Sequence, residues 1–283
     1  MKNIWIIARM TFREAIRRRI VLTGLVLGVA FLVIFSIGFH MIYAAALQST
    51  NPAPGAVARV AQGEGTNVLL LMGLYAVAFL SVAMGALLGA DTLAGEITSG
   101  TIQTIVTKPI RRSDVILGKW LGFAGLLGLY SLLMSGGTVI SVLIQAGYSP
   151  PHLPAGLTLI YLEALLIMTI SLSCSSTLSG LATGGVVFGL YGLAFIGGWI
   201  EQFGSLLQNQ TAVKVGIVTS LIIPSEALWR RASFEMQSPL ASALQMSPFG
   251  AVSVPSLLMV GYAVLYLVVA LTLAISTFQH KDL

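Results

Sequence analysis

Glu163 is the ionisable side chain whose position in this sequence most needs an explanation. It lies about six residues inside an apolar stretch, residues 157–178, that is long enough to cross a membrane. An ionisable group at that depth is expensive and usually faces protein or water. Glu163 is therefore a candidate for the wall of a substrate path. The alternative is that it reaches water or Tyr161 near the membrane surface.

Hydroxyl groups are dense in the second half of the same stretch, which reads TISLSCSSTLSG. We place Ser171 and Ser175 with Glu163 as possible residues of the substrate path. Serine hydroxyls inside a span also join neighbouring helices by hydrogen bonds. Both interpretations stay open from the sequence.

A second polar passage, residues 95–119, separates two long apolar runs in a chain where only 9% of residues are charged. Residues 98–106 can form about two helical turns, and Pro109 ends them because proline lacks an N–H and restricts Lys108. Ser113 is placed to cap the next helix, with Asp114 favourable at its positive end. The pattern predicts a short helix held crosswise between two spans.

The sequence contains no phosphate-binding loop of the form GxxxxGK[ST], no HExxH and no GxSxG. Its three histidines are far apart in the chain. We therefore expect no enzyme activity, no cofactor and no metal site in this chain. An intramembrane enzyme is the least favoured of the possible functions.

The composition predicts a membrane protein. Hydrophobic residues make up 56% of the chain and the mean hydropathy is +0.91, which exceeds what a water-facing surface tolerates. The net charge is +5, but the basic residues lie beside apolar runs, so anionic lipids are better partners than nucleic acid. The lone Cys174 excludes an intramolecular disulfide.

Six stretches reach the roughly 20 apolar residues that a spanning helix needs. They are residues 20–46, 67–93, 115–146, 157–178, 181–199 and 256–278. The fold class is therefore an all-α polytopic membrane protein, with residues 20–283 as one transmembrane domain. Cytoplasmic N- and C-termini put eleven of the fifteen basic residues inside, as the positive-inside rule favours.

Two further segments are predicted to lie at the membrane surface. Residues 1–19 form an amphipathic helix, with Arg9, Arg13 and Arg17 on one stripe. Its apolar side comprises Trp5, Ala8, Phe12, Ala15 and Ile16. Residues 201–255 form a re-entrant or interfacial segment on the outer side, in which Ser225 caps a helix and Trp229 reaches the headgroups.

Glycines four residues apart permit close approach of helices. Such pairs are Gly24 with Gly28, Gly118 with Gly122, and Gly185 with Gly189. Each pair marks a contact surface, within one bundle or between two copies.

The passage from 95 to 119 resembles the signature of the membrane permeases of ATP-binding-cassette (ABC) transporters, type-2 exporter class. In that family a Glu, a Gly-Thr, an apolar helix, a Pro, a basic residue and a Gly-Lys join the second span to the third. The matching positions here are Glu96, Gly100, Thr101, residues 102–106, Pro109, Arg111 or Arg112, Gly118 and Lys119. The resemblance extends over the whole chain, from the N-terminal helix to the long outer segment.

The resemblance implies that residues 94–112 form a cytoplasmic coupling helix that docks on a separate ATPase. The implied contact residues are Glu96, Thr98, Gly100, Thr101, Ile102, Ile105, Lys108, Pro109, Arg111 and Arg112. The partners would be two ATPase copies, which bind ATP and Mg²⁺, and a second permease, identical or related. Gly24, Gly28, Gly185 and Gly189 would then lie at the contact between the permeases.

The resemblance also implies the cytoplasmic membrane of a prokaryote and transport of a substrate by export. Two alternatives remain from the sequence: a membrane anchor that recruits an ATPase without transport, and an ion-coupled secondary transporter. The second usually shows internal repeats and several buried charges. No residue in the sequence selects the substrate.

Overall fold

The computed structural model describes residues 2–49, 55–90, 92, 111–238 and 254–280. These residues form nine α-helices and no strand, which confirms the all-α fold. The helices are α1 (Lys2–Ile16), α2 (Arg19–Ser49), α3 (Gly55–Ala90), α4 (Arg112–Ala146), α5 (Leu153–Ser175), α6 (Gly180–Leu206), α7 (Gln210–Ile222), α8 (Ser225–Met236) and α9 (Leu257–Gln279).

Six of these helices, α2 to α6 and α9, are long and apolar enough to cross a membrane. The six predicted spans are thereby confirmed. One boundary differs in a way that matters, because α6 continues to Leu206 instead of ending at Trp199. Glu201 consequently lies within the helix, where its side chain is buried.

The centre of the bundle is the contact of α3 with α5, which α4 also joins. Two glycines of α3 allow this close approach. A Cβ on Gly85 would lie 2.8 Å from the backbone oxygen of Ala164, and a Cβ on Gly89 would lie 2.6 Å from the Cβ of Ser171. By contrast, α2 lies at the edge of the bundle, and most of its apolar side chains are exposed.

Helices α7 and α8 are joined by a bend of 106°, and each is too short to cross a bilayer alone. The bend falls at Ile223 and Pro224, where proline has no N–H to continue the first helix. Because α5 and α6 form a tight hairpin, the start of α5 and the end of α6 lie on the same side. The start of α7 contacts Gly204 of α6, and Met236 at the end of α8 contacts Gly156 of α5. The pair therefore enters and leaves on one side, as a re-entrant hairpin does.

Three local predictions were wrong. Ser225 is the first residue of α8 rather than its cap, a position that Pro224 takes, and its buried hydroxyl has no hydrogen-bond partner among the described residues. Trp229 is 2% exposed, so it packs inside the bundle rather than among lipid headgroups. Ser113 lies inside the first turn of α4, whose cap position is Arg111, although Asp114 does occupy that turn.

Candidate functional site

The predicted coupling residues fall mostly outside the described residues. Glu96, Thr98, Gly100, Thr101, Ile102, Ile105, Lys108 and Pro109 all lie in that part of the chain. Arg111 is exposed at the start of α4. Arg112 donates hydrogen bonds to the backbone oxygens of Gln279, at 3.0 Å, and Phe278, at 3.5 Å. Since the last carbonyls of a helix lack partners within it, Arg112 caps the end of α9.

The N-terminal helix α1 is seated on the same end of α4. A Cβ on Gly118 would lie 2.7 Å from the Cβ of Ile7, and one on Gly122 would lie 2.7 Å from the backbone oxygen of Ala8. The two glycines thus form a groove in which the α1 backbone lies. This identifies the contact that the Gly118 and Gly122 pair marks, and it lies within one chain.

The predicted apolar side of α1 is only partly buried in the structure. Ala8, Ala15 and Thr11 are buried against α4, whereas Trp5 is 73% exposed and Ile16 is 45% exposed. Arg9, Arg13 and Arg17 are exposed, as expected for a basic stripe. The exposed surface of α1 therefore mixes arginine with large apolar side chains. Such a surface suits lipid headgroups or a protein partner.

The two glycine pairs expected at a permease dimer lie in different surroundings. A Cβ on Gly24 would meet the Sδ of Met84, and one on Gly28 would meet the Sδ of Met134, so both pack within this chain. Nothing lies within 4 Å of the Cβ positions of Gly185 and Gly189, which are exposed on α6. A contact between two copies at Gly185 and Gly189 stays a prediction.

The hydroxyls of Ser171 and Ser175 are used in helix packing. Ser171 donates to the backbone oxygen of Ala86 at 2.6 Å, and Ser175 donates to that of Ala90 at 2.9 Å. Both acceptors belong to α3, and both serines are fully buried. These bonds favour the packing interpretation of the serine-rich stretch over a place on the substrate path.

Glu163 lies at the middle of α5 and is 1% exposed. Its Oε2 has no hydrogen-bond partner among the described residues. Tyr161 does not reach it, because the Tyr161 hydroxyl donates to the backbone oxygen of Ala124 at 2.9 Å. The alternative that Glu163 reaches water or Tyr161 is therefore wrong, and Glu163 faces protein.

The re-entrant hairpin brings further buried charges into the bundle. Arg230 of α8 and Glu201 of α6 form a buried ion pair, with guanidinium nitrogens at 2.9 Å from each carboxylate oxygen. Arg230 also donates to the hydroxyl of Ser220 on α7 at 3.1 Å. The pair joins three helices inside the bundle.

Glu226 lies one helical turn before Arg230 on α8. Its side chain packs on Gly198 of α6, which has no side chain to exclude it. It is 6% exposed and its Oε2 has no hydrogen-bond partner among the described residues. Burial raises the pKa of Glu226 to about 7, with the Arg230 guanidinium opposing the rise and the Glu201 carboxylate adding to it. The charge of Glu226 also acts on Glu163.

An aromatic groove of about 390 Å³ lies between α2, α3 and α6. Its aromatic lining residues are Phe31, Tyr75, Phe79, Tyr191 and Phe195. Tyr75 connects the groove to α8, because its ring centroid lies 4.9 Å from that of Trp229, three residues after Glu226. The charges of both Glu163 and Glu226 act on Tyr75 and Tyr191. We call Glu163, Glu201, Glu226 and Arg230 the buried charge cluster, and the space lined by the five rings the aromatic groove.

One signal in the sequence could have revealed this cluster. The stretch GGWIEQFG, residues 197–204, places glycines on the face of α6 that also carries Glu201. A Cβ on Gly204 would lie 2.7 Å from the Cβ of Ala212, so that α7 approaches closely. Glu226 and Arg230 are four residues apart and share one face of α8. Glycines beside a carboxylate, followed by a charged pair at helical spacing, indicate a buried ion pair.

A family model described as "ABC-2 family transporter protein" matches residues 5–283, which is almost the whole chain. A search of curated proteins found no significant match.

Proposed function

This chain belongs to the ABC-2 family of transporter proteins, and we propose that it is the permease subunit of an exporter that a separate ATPase drives. The family match along residues 5–283 is the observation that carries the proposal. The match makes the chain a membrane component of an ABC transporter. Export as the direction, the identity of the ATPase and movement of a substrate are the proposed parts.

The arrangement of helices at one end of the bundle supports coupling to an ATPase. The groove at Gly118 and Gly122 holds α1, and Arg112 holds the end of α9, so three helices meet where α4 begins. The proposed coupling helix, residues 94–112, leads into α4 at that same end. A push on this end would move α4 as a rod, since its 35 residues form one continuous helix.

In this mechanism the partner ATPases bind ATP and Mg²⁺, and their closure moves the coupling helices of two permease copies. The permease supplies two arrangements of the spans, and ATP binding shifts the balance between them. This chain then needs no nucleotide site of its own. We place residues 94–112 and both termini in the cytoplasm of a prokaryote, with the re-entrant hairpin opening to the outside.

The test is to isolate the assembly from native membranes and to measure ATP turnover and transport after reconstitution. We expect a nucleotide-hydrolysing subunit to accompany the chain. Glu96→Ala and Gly100→Val should abolish transport and leave membrane insertion intact. Glu64→Gln is a matched control, because Glu64 bonds to Ser238 next to the re-entrant hairpin, at the opposite end of the bundle.

Three results would contradict the proposal: no ATPase in the native assembly, normal transport by the two coupling variants, or outward exposure of Arg111 to an impermeant label. A chain that only anchors the ATPase would bind it, but no compound would change the rate of ATP turnover. The same reconstituted assembly therefore separates the permease from the anchor.

A further inference from the structure

We propose that the buried charge cluster and the aromatic groove form one binding site, and that its ligands are hydrophobic organic cations. The inference rests on the proposed function and deepens it, because it names the class of compound that the transporter would carry. The site comprises Glu163 and Glu226 as counter-charges and Tyr75 and Tyr191 as the wall next to the groove.

The charges of the cluster do not balance. Arg230 already pairs with Glu201, since two nitrogen–oxygen distances of 2.9 Å join their side chains and both side chains are almost fully buried. Glu163 and Glu226 remain, each with one buried carboxylate oxygen that has no hydrogen-bond partner among the described residues. A buried carboxylate without a partner costs several kcal/mol unless it takes a proton or a cation. The cluster is therefore short of positive charge.

Among the described residues, the cation whose charge acts on these two carboxylates is Arg230, which already pairs with Glu201. The charges that act on Glu226 are those of Arg230, which attracts it, and Glu201, which repels it. The charge that acts on Glu163 is that of Glu226. Both carboxylates act on the hydroxyls of Tyr75 and Tyr191, which are neutral donors. A ligand that carries a positive charge would relieve the repulsion between Glu163 and Glu226.

The aromatic groove explains why the ligand should be both hydrophobic and organic. Its volume of about 390 Å³ falls within the range of small-molecule sites, and its rings offer a large apolar surface. Aromatic faces also attract cations, and a quaternary ammonium group is a frequent ligand of such faces. An apolar body would fill the groove while its positive centre faces Tyr75 and Tyr191.

Two other ligand classes fit less well. A metal ion needs several convergent oxygen, nitrogen or sulfur ligands, and no group of three or more His, Cys, Asp or Glu side chains with that geometry occurs in the described part of the chain. An anion would meet two unbalanced carboxylates. Charge complementarity thus selects a cation, and the rings of the groove select a bulky apolar one.

The experiment compares two probes of nearly equal size and shape but opposite charge. Tetraphenylphosphonium and tetraphenylborate are titrated against the full chain with its partner ATPase in nanodiscs. Binding is followed by equilibrium dialysis and by tryptophan fluorescence, since the ring of Trp229 packs against that of Tyr75 in a tilted arrangement, with 4.9 Å between the centroids. We expect saturable binding of the cation and none of the anion above its partition into empty nanodiscs.

Glu163→Gln and Glu226→Gln should each weaken binding of tetraphenylphosphonium by about tenfold or more, which corresponds to about 1.4 kcal/mol. Glu235→Gln is the matched control, because Glu235 also lies on α8 but pairs with Arg231 away from the cluster. The control should keep the affinity of the unmodified protein. The charge preference of the unmodified protein needs no variant, so the test does not depend on whether the variants fold.

Equal binding of both probes, saturable binding of neither, or full affinity in both glutamine variants would overturn the cation site. These results are independent of the proposed function, which fails if the chain brings no ATPase with it. If the cation binds but is not transported with ATP, the binding-site proposal stands and the proposed transporter function is refuted. ATP turnover and probe binding are therefore measured on the same preparation.

Discussion

Arg230 of the re-entrant hairpin and Glu201 of α6 form an ion pair in the interior of the bundle, with two nitrogen–oxygen distances of 2.9 Å. The pair attaches a short broken helix to a membrane span. Because both groups have left water, each is stabilised mainly by the other. The position of α8, and with it that of Glu226, depends on this contact.

Loss of one partner of this pair should be far more costly than loss of both. Arg230→Met or Glu201→Gln leaves a buried charge unpaired or half paired, and we expect a destabilisation of about 3–5 kcal/mol. The double variant removes both charges and should recover much of that loss. Thermal unfolding of the purified protein measures the effect.

The control for this prediction is Arg231→Gln on the same helix. Arg231 pairs with Glu235, and both side chains retain contact with solvent, so its loss should cost about 1 kcal/mol or less. Equal melting temperatures for the Arg230 and Arg231 variants would show that the buried pair does not hold the hairpin.

Stability should fall as the pH rises through neutrality. The pKa of Glu226 is raised to about 7 in the folded protein by burial, so the folded state binds a proton there that the unfolded state has already released. This contribution is complete below the ordinary pKa of about 4.5 and is lost as the pH rises to about 7. The charges of Arg230 and Glu201 act on this carboxyl, and its own charge acts on Glu163, Tyr75 and Tyr191. All five groups stay unchanged in the comparison below.

The measurement is the melting temperature at pH 5 and at pH 8. Glu226→Gln has no proton to release at this position. Its free energy of unfolding should therefore change by about 3 kcal/mol less over this pH range than that of the unmodified protein. Ser225→Ala is the neighbouring control, which changes no titratable group and should keep the original slope. If Glu226→Gln keeps that slope as well, Glu226 is not the group responsible.

Most of the fold follows from the sequence, for a simple reason. In a bilayer every backbone polar group must be satisfied within the segment, so a run of about 20 apolar residues forms a helix. Six such runs gave six spans, and α1 was indicated by the spacing of Arg9, Arg13 and Arg17. The partner of α1 was not predictable, since the groove at Gly118 and Gly122 forms only when both helices are placed.

The candidate site was only partly predictable. Glu163 stood out because its depth in a span is a one-dimensional property of the sequence. Glu226 and Arg230 did not, because a 12-residue charged segment reads as a surface helix until the contacts with α5 and α6 bury it. The position of Glu201 inside α6 was missed for a related reason, since charged and polar residues after Trp199 suggested the end of the span.

The seat of α1 on α4 should depend on the absence of a side chain at Gly122. A Cβ there would lie 2.7 Å from the backbone oxygen of Ala8, which cannot move without displacing the helix. We expect Gly122→Ala to destabilise the contact by about 1–3 kcal/mol. Tryptic cleavage after Arg9 and Arg13 should then be faster, because a detached short helix unfolds readily.

Gly136→Ala is the control on the same helix, as nothing lies within 4 Å of its Cβ position. It should leave α1 protected and stabilise α4 by about 0.5–1 kcal/mol, because alanine favours a helix more than glycine. Unchanged cleavage in Gly122→Ala would show that α1 does not need the groove.

Variants at the contact of α3 with α5 should show whether the serine-rich stretch serves helix packing or the substrate path. Ser171→Ala removes a hydrogen bond to Ala86 and should cost about 1 kcal/mol without changing which compounds are transported. Gly89→Ala should cost more, about 1–3 kcal/mol, because its Cβ would lie 2.6 Å from the Cβ of Ser171. Ser171→Gly in the same chain should recover part of that loss, since it removes the side chain that clashes.

Thr158→Ala, at an exposed hydroxyl that bonds within α5, is the control for stability. If Ser171→Ala instead alters substrate choice at unchanged melting temperature, Ser171 belongs to the substrate path.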